Sequence, residues 1–183
     1  MAWHQVQQIQ SKSYTCGYCG NVVASDRGYQ TADAHHAVHI CPHCPRPSYI
    51  AGGQQVPGVA PGNDVQSLPK DIESLYREAR NSTAVSAYTS AVLTCRKLLM
   101  NIAVSQRAPE GQRFIEYVQY LADNGFVPPH GKGWVDHIRK KGNEATHEIV
   151  TMTLQDAEDL IAFTEMLLKF IYEFPSRVPT PTP

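Results

Sequence analysis

Cys16-Gly17-Tyr18-Cys19-Gly20 and Cys41-Pro42-His43-Cys44-Pro45 are two C-x-x-C pairs separated by residues 20–40, and their reading decides the fold of the N-terminal part of the chain. Two thiolates three positions apart on a tight turn grip a metal ion from one side. A second such turn completes the tetrahedron that Zn²⁺ prefers with sulfur. Gly17 and Gly20 supply the compact backbone that lets amides point at sulfur, and Pro42 and Pro45 stiffen the second knuckle. The expectation is one structural Zn²⁺ per chain, held by Cys16, Cys19, Cys41 and Cys44. Two disulfides, or a histidine in place of one cysteine, are the competing readings. His35, His36, His39 and His43 lie inside or beside the site. With four well-placed cysteines they are not needed as ligands and are expected to be exposed or packed on the module.

The start of the chain, Met1-Ala2-Trp3-His4-Gln5, is not a basic stretch followed by an apolar run, and no apolar segment is long enough to span a bilayer. The expected compartment is the cytoplasm, with no membrane partner, where paired thiols more often hold metal than form bridges. Cys95 lies in a helical stretch and is expected to be a small buried apolar residue.

Working outward from the knuckles, Val22-Val23, Val38-His39-Ile40 and Ser48-Tyr49-Ile50 are short β-prone runs. They predict a zinc ribbon of two or three strands within residues 1–50. A module this small buries too little apolar surface to fold unaided, so the metal supplies much of its folding free energy. Residues 51–68 repeat glycine and proline without an apolar period and read as a linker or an irregular arm, ordered if it lies across the next domain.

From Pro69 the pattern becomes helical, with Asp71 and Glu73 at the positive end of a first helix and Asn81-Ser82 expected to break it. Ala84, Ala87, Tyr88, Ala91, Cys95, Leu98, Leu99 and Ile102 recur at threes and fours and predict a long second helix. Phe114, Ile115, Val118 and Leu121 define a third, stopped by Asn124-Gly125. Trp134, Val135 and Ile138 begin a shorter fourth, and Thr153-Leu-Gln-Asp156 reads as a capping-box start for a fifth that ends before Pro175. The expected fold class is therefore mainly α. A helical bundle of four to five helices (69–174) stands behind a small N-terminal β ribbon and precedes a Pro/Thr-rich tail (175–183).

The second informative stretch is Arg139-Lys140-Lys141-Gly142-Asn143-Glu144-Ala145-Thr146-His147. On a continuous helix, the four-residue spacing of Arg139, Asn143 and His147 lines a guanidinium, an amide and an imidazole along one face. Glu144, three positions before His147, can orient the ring. An arginine holds phosphate with paired donors, and a histidine moves the proton of a ribose hydroxyl. The competing reading is a kink at Gly142 and an ordinary solvated face.

Leu68-Pro69-Lys70-Asp71-Ile72, Tyr76-Arg77-Glu78-Ala79, Ala91 to Arg96, the segment R-x-x-G-N-x-x-x-H from Arg139 to His147, and Asp156-Ala157-Glu158-Asp159 together resemble a branch of the HEPN superfamily. The resemblance covers Leu68 to Phe174. Asn143 and His147 fit its N-x-x-x-H portion; Gly142 stands where the superfamily has arginine, and Arg139 lies one turn upstream. The resemblance implies a dimerising helical domain acting as a metal-independent endoribonuclease in antiviral (antiphage) defence. Its catalytic set would be His147, Arg139, Asn143, Glu144 and Arg96, acting on RNA. A non-catalytic adaptor that binds protein or nucleic acid is the alternative.

The net charge of −1 gives no global pull on nucleic acid, so Lys132, Lys140 and Lys141 would have to provide a local one. Around the knuckles, Tyr14, Tyr18, Tyr29 and Tyr49 outnumber the cations Lys12, Arg27 and Arg46. That balance favours a protein-facing surface. The ribbon is expected to act as a sensor, with a phage protein as a possible trigger.

Overall fold

The computed structural model describes residues 3–128, 130–147 and 151–178; within these, the side chains of Lys132 and of residues 142–147 fall outside the description. The chain divides into two compact units, Met1–Ala60 with Ala84–Ser86, and Pro61–Thr83 with Ala87–Pro183.

The first unit corrects the expected fold class. It holds a five-stranded antiparallel meander of β1 (Gln7–Thr15), β2 (Val22–Gln30), β3 (His36–Ile40), β4 (Pro47–Ala51) and β5 (Gln54–Val56). The chain is thus α+β rather than a mainly α bundle with a two- or three-stranded ribbon. The missed strands lack an apolar signal. β1 reads QQIQSKSYT and buries only Ile9 and Tyr14. A register shift between Gln8 and Lys12 breaks its alternation. β2 is interrupted by Asp26, Arg27 and Gly28, and β5 is Gln54-Gln55-Val56. These strands are specified by pairing and by the turns between them more than by side-chain period.

In the second unit, α1 (Lys70–Ala84), α2 (Tyr88–Ser105), α3 (Phe114–Asp123), α4 (Lys132–His147) and α5 (Leu154–Leu168) enclose one apolar core. α2 packs against α3, α4 and α5, and its Ala91, Val92, Leu98, Leu99 and Ile102 are fully buried. Cys95 is buried among them, and burial pushes its thiol up to about 12. α3 ends at Asn124, with Gly125 at φ +81°. α5 starts as the sequence predicts: Thr153 Oγ1 accepts from the Asp156 amide at 3.2 Å, and Asp156 Oδ2 accepts from the Thr153 amide at 2.9 Å. Beyond Leu168 the helix widens into a π turn (Lys169–Glu173), followed by α6 (Phe174–Ser176). The helical stretch therefore runs past the stop expected before Pro175, which lies in the first turn of α6.

Two expected boundaries move. α1 runs through Asn81-Ser82 to Ala84, and α4 is longer than the short segment suggested by Trp134, Val135 and Ile138. The stretch read as a linker contributes Ala51 to β4 and Gln54–Val56 to β5. Its later part lies on the helices as a strap, with Val65 in the helical core. The Asn63 amide donates to Glu165 at 2.9 Å and the Gln66 amide to Glu173 at 3.0 Å.

Candidate functional site

The meander explains why two distant C-x-x-C pairs meet. Cys16 and Cys19 occupy the β1–β2 turn, and Cys41 and Cys44 the β3–β4 turn. In an antiparallel meander these alternate turns lie at the same end of the sheet. Each knuckle is closed by backbone bonds. The Cys16 amide donates to Asn21 O at 2.9 Å, the Gly20 amide to Cys16 O at 2.8 Å, and the Cys41 amide to Arg46 O at 2.9 Å. Gly20 takes φ +70°, a conformation that a side chain would oppose. The two turns are also tied across the gap, because the Arg46 guanidinium lies 5.1 Å over the Tyr18 ring. Trp3 Nε1 donates to Pro45 O at 2.8 Å.

The four sulfurs lie within 4.8 Å of one another and could hold a metal ion. Cys16 and Cys44 are 3.7 Å apart and Cys19 and Cys41 3.9 Å apart. A metal–sulfur bond of about 2.3 Å implies a tetrahedron with an edge of about 3.8 Å, so the donor set fits. A disulfide needs about 2.0 Å, and all five cysteines are free. Backbone amides support the sulfurs: Tyr18 and Cys19 face Cys16, Asn21 faces Cys19, and Arg46 faces Cys44. Burial raises Cys16, and burial with crowding by the other thiols pushes Cys44 up to about 12. Burial acts the same way on Cys19, but the Asn21 donors overcome it and bring that thiol down to about 6. A bound cation would hold all four sulfurs as thiolates.

None of the histidines beside the knuckles joins the cluster. His39 is buried and donates Nδ1–H to Ser25 O at 3.1 Å; His43 Nδ1 accepts from Asn21 Nδ2 at 3.1 Å; His36 bonds Tyr49.

In the helical unit, α4 runs as one helix through Gly142 to His147. The side chains of Asn143, Glu144 and His147 lie outside the described residues. Arg139 is half-buried, and its Nη1 donates at 3.2 Å to both Gln119 on α3 and Asp136 on α4. Its Nε is buried with no hydrogen-bond partner among the described residues. Arg96 on α2 is placed differently. Its guanidinium lies 4.4 Å over the Phe114 ring, and burial lowers its pKa. Arg96 thus stacks on Phe114 at the start of α3, whereas Arg139 bonds Gln119 in the middle of that helix. Lys141 pairs with Asp156 at 2.9 Å.

Sequence reasoning missed His137. Its Nε2 lies 2.8 Å from Asp159 Oδ2 on α5, while Gln155 Nε2 holds the other carboxylate oxygen at 2.7 Å. A lone histidine in Val-Asp-His-Ile gives no signal, because its partner is supplied by another helix.

Fold and centre together define a two-unit α+β protein with a sheet whose four clustered cysteines could hold a metal ion, and a helical domain. Residues 77–180, more than half of the chain, match the family described as "Domain of unknown function (DUF4145)", and the chain belongs to that family. No curated protein and no solved structure matches the chain. Among the described residues, no helix is long and apolar enough to cross a membrane.

Proposed function

We propose that this protein is an RNA-cleaving effector whose helical unit carries the chemistry and whose sheet unit is organised by a structural Zn²⁺. Four sulfur donors at tetrahedral spacing suit Zn²⁺ better than the harder divalent ions, which prefer oxygen. The reading of the helical unit rests on one observation. The continuous α4 carries Arg139 and His147 two helical turns apart, and the buried Arg139 Nε–H has no hydrogen-bond partner among the described residues.

The chemistry would be metal-independent. His147 takes the proton of a ribose 2′-OH, and the 2′ oxygen bonds to the adjacent phosphorus. The P–O5′ bond breaks and a second acid protonates the departing 5′ oxygen, leaving a 2′,3′-cyclic phosphate and a 5′-OH. Arg139 holds charge on the non-bridging oxygens, Asn143 and Glu144 orient the imidazole, and a second protomer completes the cleft. Regulation through the sheet unit, with a phage protein as trigger, belongs to the same proposal.

The test compares wild type with His147→Ala for growth arrest and for cleavage of end-labelled RNA in the presence of a chelator that spares the bound zinc. Cleavage is expected to fall about 10²- to 10⁴-fold, with cyclic-phosphate ends in the wild-type products. Equal toxicity and equal cleavage by the two proteins would remove the proposal. The adaptor reading is favoured by a specific contact, the pairing of Arg139 with Asp136 and Gln119, which ties up one edge of the guanidinium.

A further inference from the structure

The metal centre uses one end of the sheet and leaves a face of it unexplained. Strand register pairs Tyr29 with Val38, Val38 with Tyr49, and Tyr49 with Val56. Directly paired residues share a face, so these four side chains form one row across four adjacent strands. The next rows, Gly28–His39–Ser48 and Ala37–Ile50–Gln55, belong to the opposite face, where Ile50 packs on the Cys16 and Cys41 cluster. The row is open at its Tyr49 end: Tyr49 is 41% exposed and Val56 50%, whereas Tyr29 and Val38 are half-buried and the Tyr29 hydroxyl donates to His4 O. By strand alternation, Arg27 joins it from β2 and His36 from β3, both exposed. His36 lies beside Tyr49, with ring centroids 6.1 Å apart and planes 22° from parallel, and its Nδ1 is bonded to the Tyr49 hydroxyl.

Charge is distributed as selectively as the rings. Residues 1–60 carry three cations, Lys12, Arg27 and Arg46, against two carboxylates, Asp26 and Asp33. β3, β4 and β5 contain no carboxylate. Asp33 sits in the β2–β3 turn, where it accepts from Thr31 Oγ1 and from the His35 amide. The open row therefore offers flat rings flanked by a guanidinium and an imidazole, with no negative side chain from β3 to β5 to repel a phosphate.

We propose that this face binds single-stranded nucleic acid, with unpaired bases laid on Tyr49 and His36 and the phosphodiester backbone drawn to Arg27. Every base has a π face, so the row tolerates sequence; a duplex, whose bases are already stacked, does not fit it. The count of cations around the knuckles pointed to a protein partner; the placement of Arg27 beside the aromatic row reverses that reading. The inference deepens the RNA reading of the helical unit but requires no cleavage.

Anisotropy of a short fluorescein-labelled single strand, in ribo and uncleavable 2′-deoxy forms, tests it on the zinc-loaded full chain. Tyr49→Ala is expected to weaken binding of both strands about 5- to 100-fold, and Tyr49→Phe to retain it. Arg27→Ala is expected to reduce the salt slope by about one. Zinc stoichiometry and circular dichroism check each variant's fold; if Tyr49→Ala loses zinc, His36→Ala supplies the comparison. Wild-type protein that binds no single strand, binds duplex equally well, or binds as tightly after Tyr49→Ala and Arg27→Ala overturns the inference and leaves the row to a protein partner. Loss of deoxy-strand binding in Tyr49→Ala upholds the platform whether or not the wild-type protein cuts RNA, while equal cleavage by wild type and His147→Ala removes the nuclease reading alone.

Discussion

Cys16→Ser and Cys41→Ser are each expected to unfold the sheet unit and leave the helical unit folded. Among the described residues of the first unit, the buried apolar side chains are Ile9, Tyr14, Cys16, Cys41 and Ala84, so two of the five belong to the candidate metal site. Apolar burial on that scale cannot offset the conformational entropy of five strands. Structural zinc in small modules contributes about 10–16 kcal/mol of apparent binding free energy at neutral pH, and that binding is folding. Replacing one thiolate removes a ligand, and the buried position is then filled by a hydroxyl facing three thiols. Bound zinc should fall from one per chain to near none. The β contribution to circular dichroism should vanish, while the helical signal persists with its own cooperative melt, because α2 through α5 share a separate core. A strong chelator should reproduce this in the wild type. The pH dependence has a definite sign. Metal binding requires thiolates and releases protons, so acid favours the metal-free, unfolded sheet and neutral pH the folded one. Full zinc loading in both serine variants, or chelation that leaves the β signal unchanged, would show that pairing alone holds the sheet.

What the sequence discloses depends on how local the specifying physics is. The metal knuckles are legible because each is a turn of four residues whose chemistry is written in its own letters, and the meander only has to bring two such turns to one end. α2, α3 and α5 are legible because packing imposes a helical period on their apolar residues, and Thr153 with Asp156 closes a box within a single turn. β1 and β5 are not legible. Their inward residues are few, and their pairing is decided by neighbours, which explains how an α+β chain reads as mainly α. α1 passes through Asn81-Ser82 for a similar reason. Thr83 is buried with its hydroxyl bonded back to Ala79 O at 3.1 Å, so packing on the last turn outweighs local capping preference.

The candidate RNA site was only partly readable. Spacing along α4 is a property of one helix, and the helix is there. Whether a guanidinium is available depends on Gln119, twenty residues earlier in sequence, and on a stacking ring at Phe114 for Arg96. The His137–Asp159 pair and the Tyr29–Tyr49 row are invisible in sequence because each is assembled from separate elements.

The strap over residues 61–68 is the extreme case of long-range specification, and its anchor carries the second large effect. Glu165 Oε2 accepts the Asn63 amide at 2.9 Å and Oε1 accepts Asn63 Nδ2 at 3.0 Å. The Tyr76 hydroxyl lies 3.4 Å from Oε2, and Lys169 pairs from the next turn. Removing the carboxylate takes the acceptor from both Asn63 donors and the partner from Lys169, while the Tyr76 hydroxyl keeps Asn63 O at 3.0 Å, so Glu165→Ala is expected to destabilise the helical unit by about 1–3 kcal/mol. It should also raise hydrogen exchange at the Asn63 amide well above that at Gln66, which keeps its bond to Glu173.

The acid dependence follows from the same contacts. Burial alone would raise the Glu165 pKa, but Lys169 and the Asn63 donors overcome it and hold the folded value below the ordinary one. A depressed carboxyl stabilises the fold above its unfolded pKa, about 4.3, and loses that contribution as pH falls through the lower folded value. Wild type should therefore show a stability loss in this acid range that Glu165→Gln lacks. Gly62 gives an independent check. It takes φ +73°, and a Cβ there would meet Glu165 Oε2 and the Tyr76 hydroxyl at 2.8 Å. Gly62→Ala should cost about 1–3 kcal/mol. Because Glu165→Ala opens that space, the double variant should cost less than the sum of the singles, measured by urea unfolding. Strict additivity, with unchanged exchange at Asn63, would mean that the strap is held by Val65 and its apolar contacts rather than by the buried carboxylate.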